Sequence, residues 1–325
     1  MKKHFFTFSL IACAVSVTLP TQAFAVKLYG AGSLRDSLTE VAESFNEKYG
    51  IPVETRFGPS GLTREFIEQE FSETGKSADV FASADINNPQ TLFEEGLSEP
   101  VANFTSNRMT AIVRSGLGIT SDNLLDFLLK PEIKLGTSTP IADPSGDYAW
   151  EIFDKANQIK SSNSQILKDK ALQLVGGNPN APIVPNGKNN LVYFLEETKQ
   201  ADIFLAYYTS GKTAQATEGG ENLQIVELPD YLATKANYGL TTLKNADPDG
   251  EKLAEYILSQ KGQEILAKYG FSAPSTSVPE HQGTGGILLA VGVAFILNKK
   301  QVLLKKQLIK IVNGDAEQGR HNLFK

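Results

Sequence analysis

Three serines stand where an apolar run gives way to a helical pattern: Ser33 in YGAGSLRDSL, Ser60 in FGPSGLTREF and Ser145 in ADPSGDYAW. A fourth polar helix start spans Asn186 to Asn190, and the pair Tyr207-Tyr208 ends the apolar run that begins at Ala201. A helix start presents N–H groups without intrahelical partners and the positive end of the helix dipole, which suits it to an anion. One such serine is an ordinary cap, and Ser33 with Asp36 three residues on reads as a capping-box pattern. Several at the ends of strands would converge on the crevice where open α/β sheets bind ligands. None carries an obligatory charge. The chemistry they offer is that of neutral N–H and O–H donors around a dehydrated anion.

The missing residue types narrow the function. The three histidines are His4, His281 and His321, and the one cysteine is Cys13, so the body from Val26 to Glu280 has neither. Histidine triads, imidazole bases and Cys/His zinc sites are excluded there. A secreted hydrolase with a serine nucleophile is the competing class, and it lacks both a histidine and a visible Ser–Lys arrangement. The formal net charge is −6, and the body between the basic ends is more acidic still. That argues against nucleic acid as a partner. It also means that an anion must be held by local dipoles and not by the overall field.

The elements that position these residues alternate. Strands are expected at Val26–Tyr29, Val53–Phe57, Ala78–Ala82, Met109–Val113, from Lys134, at Ala201–Tyr208 and at Tyr238–Leu243, with helices between them, one through Gln165–Val175 and a closing helical region over Gly250–Tyr269. This is an α/β pattern with a parallel sheet. Lys2, Lys3, the apolar run Phe5 to Leu19 and Ala23-Phe24-Ala25 read as a signal peptide cleaved after Ala25, hence an exported, periplasmic protein. Leu10-Ile11-Ala12-Cys13 also resembles a lipoprotein cleavage box, after a very short apolar run. The tail after Glu280 carries an apolar segment, Ile287 to Leu297, followed by lysines, and no role is assigned to it.

AGSL at 31–34, FGPSGL at 57–62, ADVFASAD at 78–85, DPSGDYA at 143–149 and KYGF at 268–271 together resemble the periplasmic molybdate-binding proteins of ABC importers, which are type II solute-binding proteins. The resemblance runs over roughly residues 26–275. It implies a two-lobed periplasmic-binding-protein fold with two interlobe crossover strands and a ligand cleft between the lobes. Lobe one would be 26–105 plus 226–275 and lobe two 106–225, after a signal peptide at 1–25 and before an extension at 276–325. It further implies an oxyanion, molybdate or tungstate, held by Ser33 and Ser60 of lobe one and by the Ser145 backbone, Asn189 and the Tyr207 hydroxyl of lobe two. No catalysis, cofactor or metal beyond the anion's own molybdenum or tungsten is expected. The expected partner is a membrane permease that recognises the closed shape of a monomer.

Other ligands fit part of this pattern. Sulfate or phosphate would suit similar neutral donors. Tyr208 beside Tyr207 departs from the family, and tandem tyrosines resemble ferric-iron-binding proteins, although their N-terminal pattern is not visible here. Asp143 and Asp147 read as helix caps paired with surface cations, Arg64 as facing solvent and Trp150 as core.

Overall fold

A computed structural model describes residues 25–274. The signal peptide, the Cys13 box and the tail from 276 lie outside the described residues. Nine strands form one sheet: β1 (Val26–Ala31), β2 (Val53–Gly58), β3 (Val80–Ser83), β4 (Ala102–Val113), β5 (Leu135–Ser138), β6 (Leu172–Val175), β7 (Ile203–Tyr207), β8 (Gln224–Glu227) and β9 (Lys235–Thr242). The helices are α1 (Arg35–Tyr49), α2 (Ser60–Thr74), α3 (Asn87–Glu94), α4 (Leu124–Leu129), α5 (Pro144–Ile159), α6 (Asn163–Lys170), α7 (Asn190–Val192), α8 (Tyr208–Gln215), α9 (Pro248–Leu258) and α10 (Gln260–Lys268). Among the described residues no helix is long and apolar enough to cross a membrane.

The order β2-β1-β3-β9-β4-β7-β5-β6 divides the sheet into two halves. β1 pairs in parallel with β2 and β3, and β5 in parallel with β6 and β7, as the alternation of strands and helices requires. The joining strands are antiparallel. β4 pairs with β9 over Ala102–Arg108, then with β7 over Met109–Val113 and with β8 over Thr110–Val113. One large core cluster runs through both halves, from Val26 and Phe45 to Leu205 and Phe271.

Three expectations need correction. The helix expected to continue to Val175 stops at Lys170, because Ala171 is extended and Leu172–Val175 pairs with β5 as a strand. The strand expected at Met109–Val113 begins seven residues earlier, at Ala102. Its first part holds Thr105, Ser106 and Asn107, polar residues that a reading by apolar alternation passes over, and all three are buried. Tyr208 opens a helix instead of ending a strand.

Candidate functional site

The candidate site lies where the parallel strands end. β1, β2, β3, β5 and β7 deliver Ser33, Ser60, Ala84-Asp85, the 139–145 loop and Tyr207 to one region, the C-terminal edge where α/β sheets take ligands. The contacts are continuous. The Ser33 hydroxyl lies 2.9 Å from the Tyr238 hydroxyl. The Tyr238 ring meets Tyr207 edge-on at 5.8 Å, and Tyr207 meets Tyr148 at 6.3 Å. Tyr148 Oη donates to the Ala84 carbonyl at 3.5 Å, and the Ala84 N–H donates to Ser60 Oγ at 3.1 Å. From α2 the N–H of Gly61 donates to the Ala142 carbonyl at 3.0 Å, which leads on to Asp143 and Ser145.

None of the three serines caps its own helix with its side chain. Ser33 sits in a 3-10 turn before α1 and makes no cap hydrogen bond, so the capping-box reading fails. Ser60 is the first residue of α2, with Pro59 in the cap position. At α5 the cap is Asp143, whose Oδ1 accepts from Ser145 N at 3.1 Å, with Pro144 next in the chain. The Ser145 N–H, expected to meet an anion, is therefore held by a carboxylate. Asn189 likewise caps: its Oδ1 accepts from Leu191 N at 2.9 Å and Val192 N at 3.3 Å. No described hydrogen bond or ring contact ties Asn189 to the other four residues.

Tyr207 is different. Its hydroxyl is buried and has no hydrogen-bond partner. Buried hydroxyls are normally satisfied, and a missing partner costs about 1–3 kcal/mol. Among the described residues the other such buried atom is Thr137 Oγ1 on β5. Burial raises the Tyr207 phenol well above its ordinary value, and Tyr238 and Asp143 push the same way. Burial also raises Tyr148 and Tyr238. These phenols keep their protons, and each carries a proton that can be donated.

Carboxylates surround the donors. Asp143 accepts from Ser138 Oγ at 2.6 Å as well as from Ser145 N, yet burial holds its carboxyl above the usual range, with Asp147 and Asp85 adding to the effect. Asp147 accepts from Ile141 N at 2.8 Å and is also raised by burial. Asp85 is tied down by Ser83 Oγ at 2.6 Å and by Asn88. Arg64 does not simply face solvent: it bonds Asn88 Oδ1 at 3.1 Å and pairs with Glu68. Trp150 packs on Phe153 against the core, as expected. Among the described residues no group of three or more His, Cys, Asp or Glu is placed to hold a metal ion. Tyr208 lies under Arg108, whose guanidinium sits 3.6 Å above its ring. The arrangement offers neutral hydroxyl donors in a buried setting.

Sequence reasoning missed Tyr238 and the part played by Tyr148. A buried tyrosine on a joining strand has no local signature. The Asp143 cap was legible, because Asp before Pro is a strong cap signal, but the surface cation expected beside Asp143 is not there: its carboxyl is buried against Ser138 and Ser145.

Comparisons with known proteins bear on the family and the fold. A family model described as bacterial extracellular solute-binding protein matches residues 26–272. An uncharacterised protein of Pasteurella multocida, PM1146, is 31% identical over 248 residues, covering 76% of this chain and 98% of the relative. The molybdate-binding protein ModA of Rhodobacter capsulatus is 24% identical over 266 residues, covering 80% and 93%. The solved structure of the sulfate-binding protein SubI from Mycobacterium tuberculosis H37Rv shares the fold with a TM-score of 0.58 at 18% identity, covering 76% of this chain and 86% of SubI. The two-halved α/β sheet with its joining strands is thus a periplasmic-binding-protein fold, and the chain belongs to the bacterial extracellular solute-binding protein family.

Proposed function

We propose that this protein binds a tetrahedral oxyanion, molybdate and equally tungstate, between the two halves of the sheet, and delivers it to an ABC-type membrane permease from the periplasm. The observation that carries this reading is the buried, partnerless hydroxyl of Tyr207 among other neutral donors. A dianion oxygen supplies the missing acceptor. Ser33 and Ser60 give hydroxyl protons from the first half. Ser145 gives its hydroxyl, since Asp143 already holds its N–H. Asn189 is assigned by resemblance and acts through its backbone, its side chain being spent on Leu191 and Val192. Binding draws the halves together, and closure is favoured only by contacts that the ligand makes in the closed state. The similarity to a molybdate-binding protein supports the choice of anion.

Sulfate is the second reading, because neutral donors suit any tetrahedral dianion of the right size. Calorimetric titration of the purified protein with molybdate, tungstate, sulfate, phosphate and ferric citrate separates these ligands. Molybdate and tungstate are expected to bind one to one with the highest affinity. Tight sulfate binding without molybdate binding would change the ligand and leave the site in place. Tight ferric binding would overturn the neutral-donor reading.

A further inference from the structure

We infer that Tyr238 is a positioning residue that fixes the direction in which Ser33 gives its proton. This rests on the oxyanion reading above, in which Ser33 is a donor to the ligand. Tyr238 is fully buried on β9, one of the two strands that join the halves. Its hydroxyl has two described hydrogen-bond neighbours. One is the side-chain nitrogen of Asn107, on the other joining strand β4, at 3.4 Å. The second is Ser33 Oγ at 2.9 Å.

The orientation of Asn107 is settled by its other bonds. Its oxygen accepts from Arg108 N at 2.9 Å, and its nitrogen donates to Thr209 Oγ1 at 2.8 Å. An amide nitrogen only donates. Tyr238 therefore accepts from Asn107, and Ser33 Oγ is the described acceptor for its phenolic proton. The opposite direction would strand that proton in a buried place. With one lone pair taken by Tyr238, Ser33 directs its own proton elsewhere, and Ser33 is half-buried, not sealed.

Ser60 is set by the same logic. The backbone N–H of Ala84 can only donate, so Ser60 Oγ accepts and its proton points away. Both serines thus present protons to the ligand before it arrives. For Ser33 the orienting groups lie on the two joining strands and, through Thr209, at the start of α8, so the donor is set from the hinge side of the molecule.

Titration of the purified protein with molybdate tests this in five variants: Ser33→Ala, Tyr238→Phe, Ser60→Ala, and Tyr238→Phe combined with each of the two serine variants. Ser33→Ala is expected to weaken binding roughly tenfold or more, and Tyr238→Phe about threefold or more. If Tyr238 acts through Ser33, adding Tyr238→Phe to Ser33→Ala changes nothing further, while adding it to Ser60→Ala keeps its full effect. A merely structural role would give equal losses in both backgrounds. A further variant, Asn107→Asp, offers Tyr238 an acceptor and so reverses the relay, pulling the Ser33 proton back toward Tyr238; weaker binding than in Tyr238→Phe is expected. Weakened Ser33→Ala with unchanged Tyr238→Phe overturns the relay alone. Unchanged binding in Ser33→Ala overturns the oxyanion reading of Ser33 and the relay with it.

Discussion

The N–H of Gly61 donates to the carbonyl of Ala142 at 3.0 Å, and the N–H of Leu62 shares that acceptor at 3.3 Å. Two first-turn donors of α2, of the kind a helix start ordinarily offers to an anion, are therefore given to the opposite half of the protein. The contact needs glycine. A Cβ at position 61 would stand 2.2 Å from the Ile141 carbonyl oxygen and 2.8 Å from that of Ala142, both backbone atoms that cannot rotate aside. Gly61→Ala is expected to hold the halves apart while each half keeps its fold. Small-angle scattering should show a larger radius of gyration with an unchanged circular dichroism spectrum, and oxyanion affinity should fall by tenfold or more, as an order of magnitude. An unchanged radius and affinity would show that closure does not depend on this contact.

Tyr207→Phe separates stability from function. The hydroxyl removed is buried with no hydrogen-bond partner among the described residues, so its loss relieves an unsatisfied buried group. Denaturant unfolding is expected to show stability unchanged or raised by up to about 1–3 kcal/mol. Ligand affinity should fall about tenfold or more, because a hydrogen bond to a charged oxygen is lost. A variant that is both less stable and fully competent to bind would remove Tyr207 from the site.

Much of the candidate site could be read along the chain as local structure, and the limits are physical. Strand, glycine turn and serine in sequence marked Ser33 and Ser60, because backbone turns and helix starts are local. What those hydroxyls bond to is not local. Ser33 meets Tyr238, 205 residues away, and Ser60 meets Ala84, 24 residues away. The polar beginning of β4 was hidden for a related reason: Ser106 and Asn107 are buried where β4 pairs with β9, and Asn107 bonds Thr209 and Tyr238, all more than 100 residues away in the chain. At Leu172–Val175 the error ran the other way. A helical pattern continued into residues that the neighbouring strand β5 claimed.

Ile141 is a β-branched residue with φ of 70°, a left-handed conformation that favours glycine or asparagine, and its side chain is 80% exposed. The strain is tolerated where the loop turns Ala142 toward Gly61. Ile141→Asn gives up little burial and relieves strain of about 1 kcal/mol or more. A thermal midpoint raised by a few degrees is the expected result, with ligand affinity retained. A lowered midpoint would mean that the isoleucine makes contacts in solution that outweigh the strain.

Asp202 ties the second half together. Burial opposes its ionisation, but the Lys134 N–H at 2.8 Å and Arg114 at 2.6 Å hold it below the usual carboxylate range. A folded pKa below the unfolded one stabilises the fold above the unfolded pKa, and that contribution is lost as pH falls through the folded value. Asp202→Asn should therefore cost about 2 kcal/mol near neutral pH. The gap to the wild type should close as the solution becomes acidic. A gap that is constant across pH would assign the loss to packing and not to charge.

Asp143 carries the opposite sign. Burial raises its carboxyl first, Asp147 and Asp85 add to that, and the bonds from Ser138 and Ser145 only partly offset them. The folded protein then holds this proton more tightly than the unfolded chain, so stability falls as pH rises from the ordinary carboxylate value through the raised one. The same proton affects binding. A neutral Asp143 next to the neutral donors repels a dianion less than a charged one, so affinity should decline over the same rise in pH. Asp143→Asn keeps an oxygen to accept from Ser145 N and an amide to meet Ser138 Oγ, and it removes the titration. Its molybdate affinity should be flat across that window and equal to or above the wild type at the alkaline end. If instead the variant follows the wild-type curve, another group sets the pH dependence, and Asp147, also raised by burial, becomes the residue to replace.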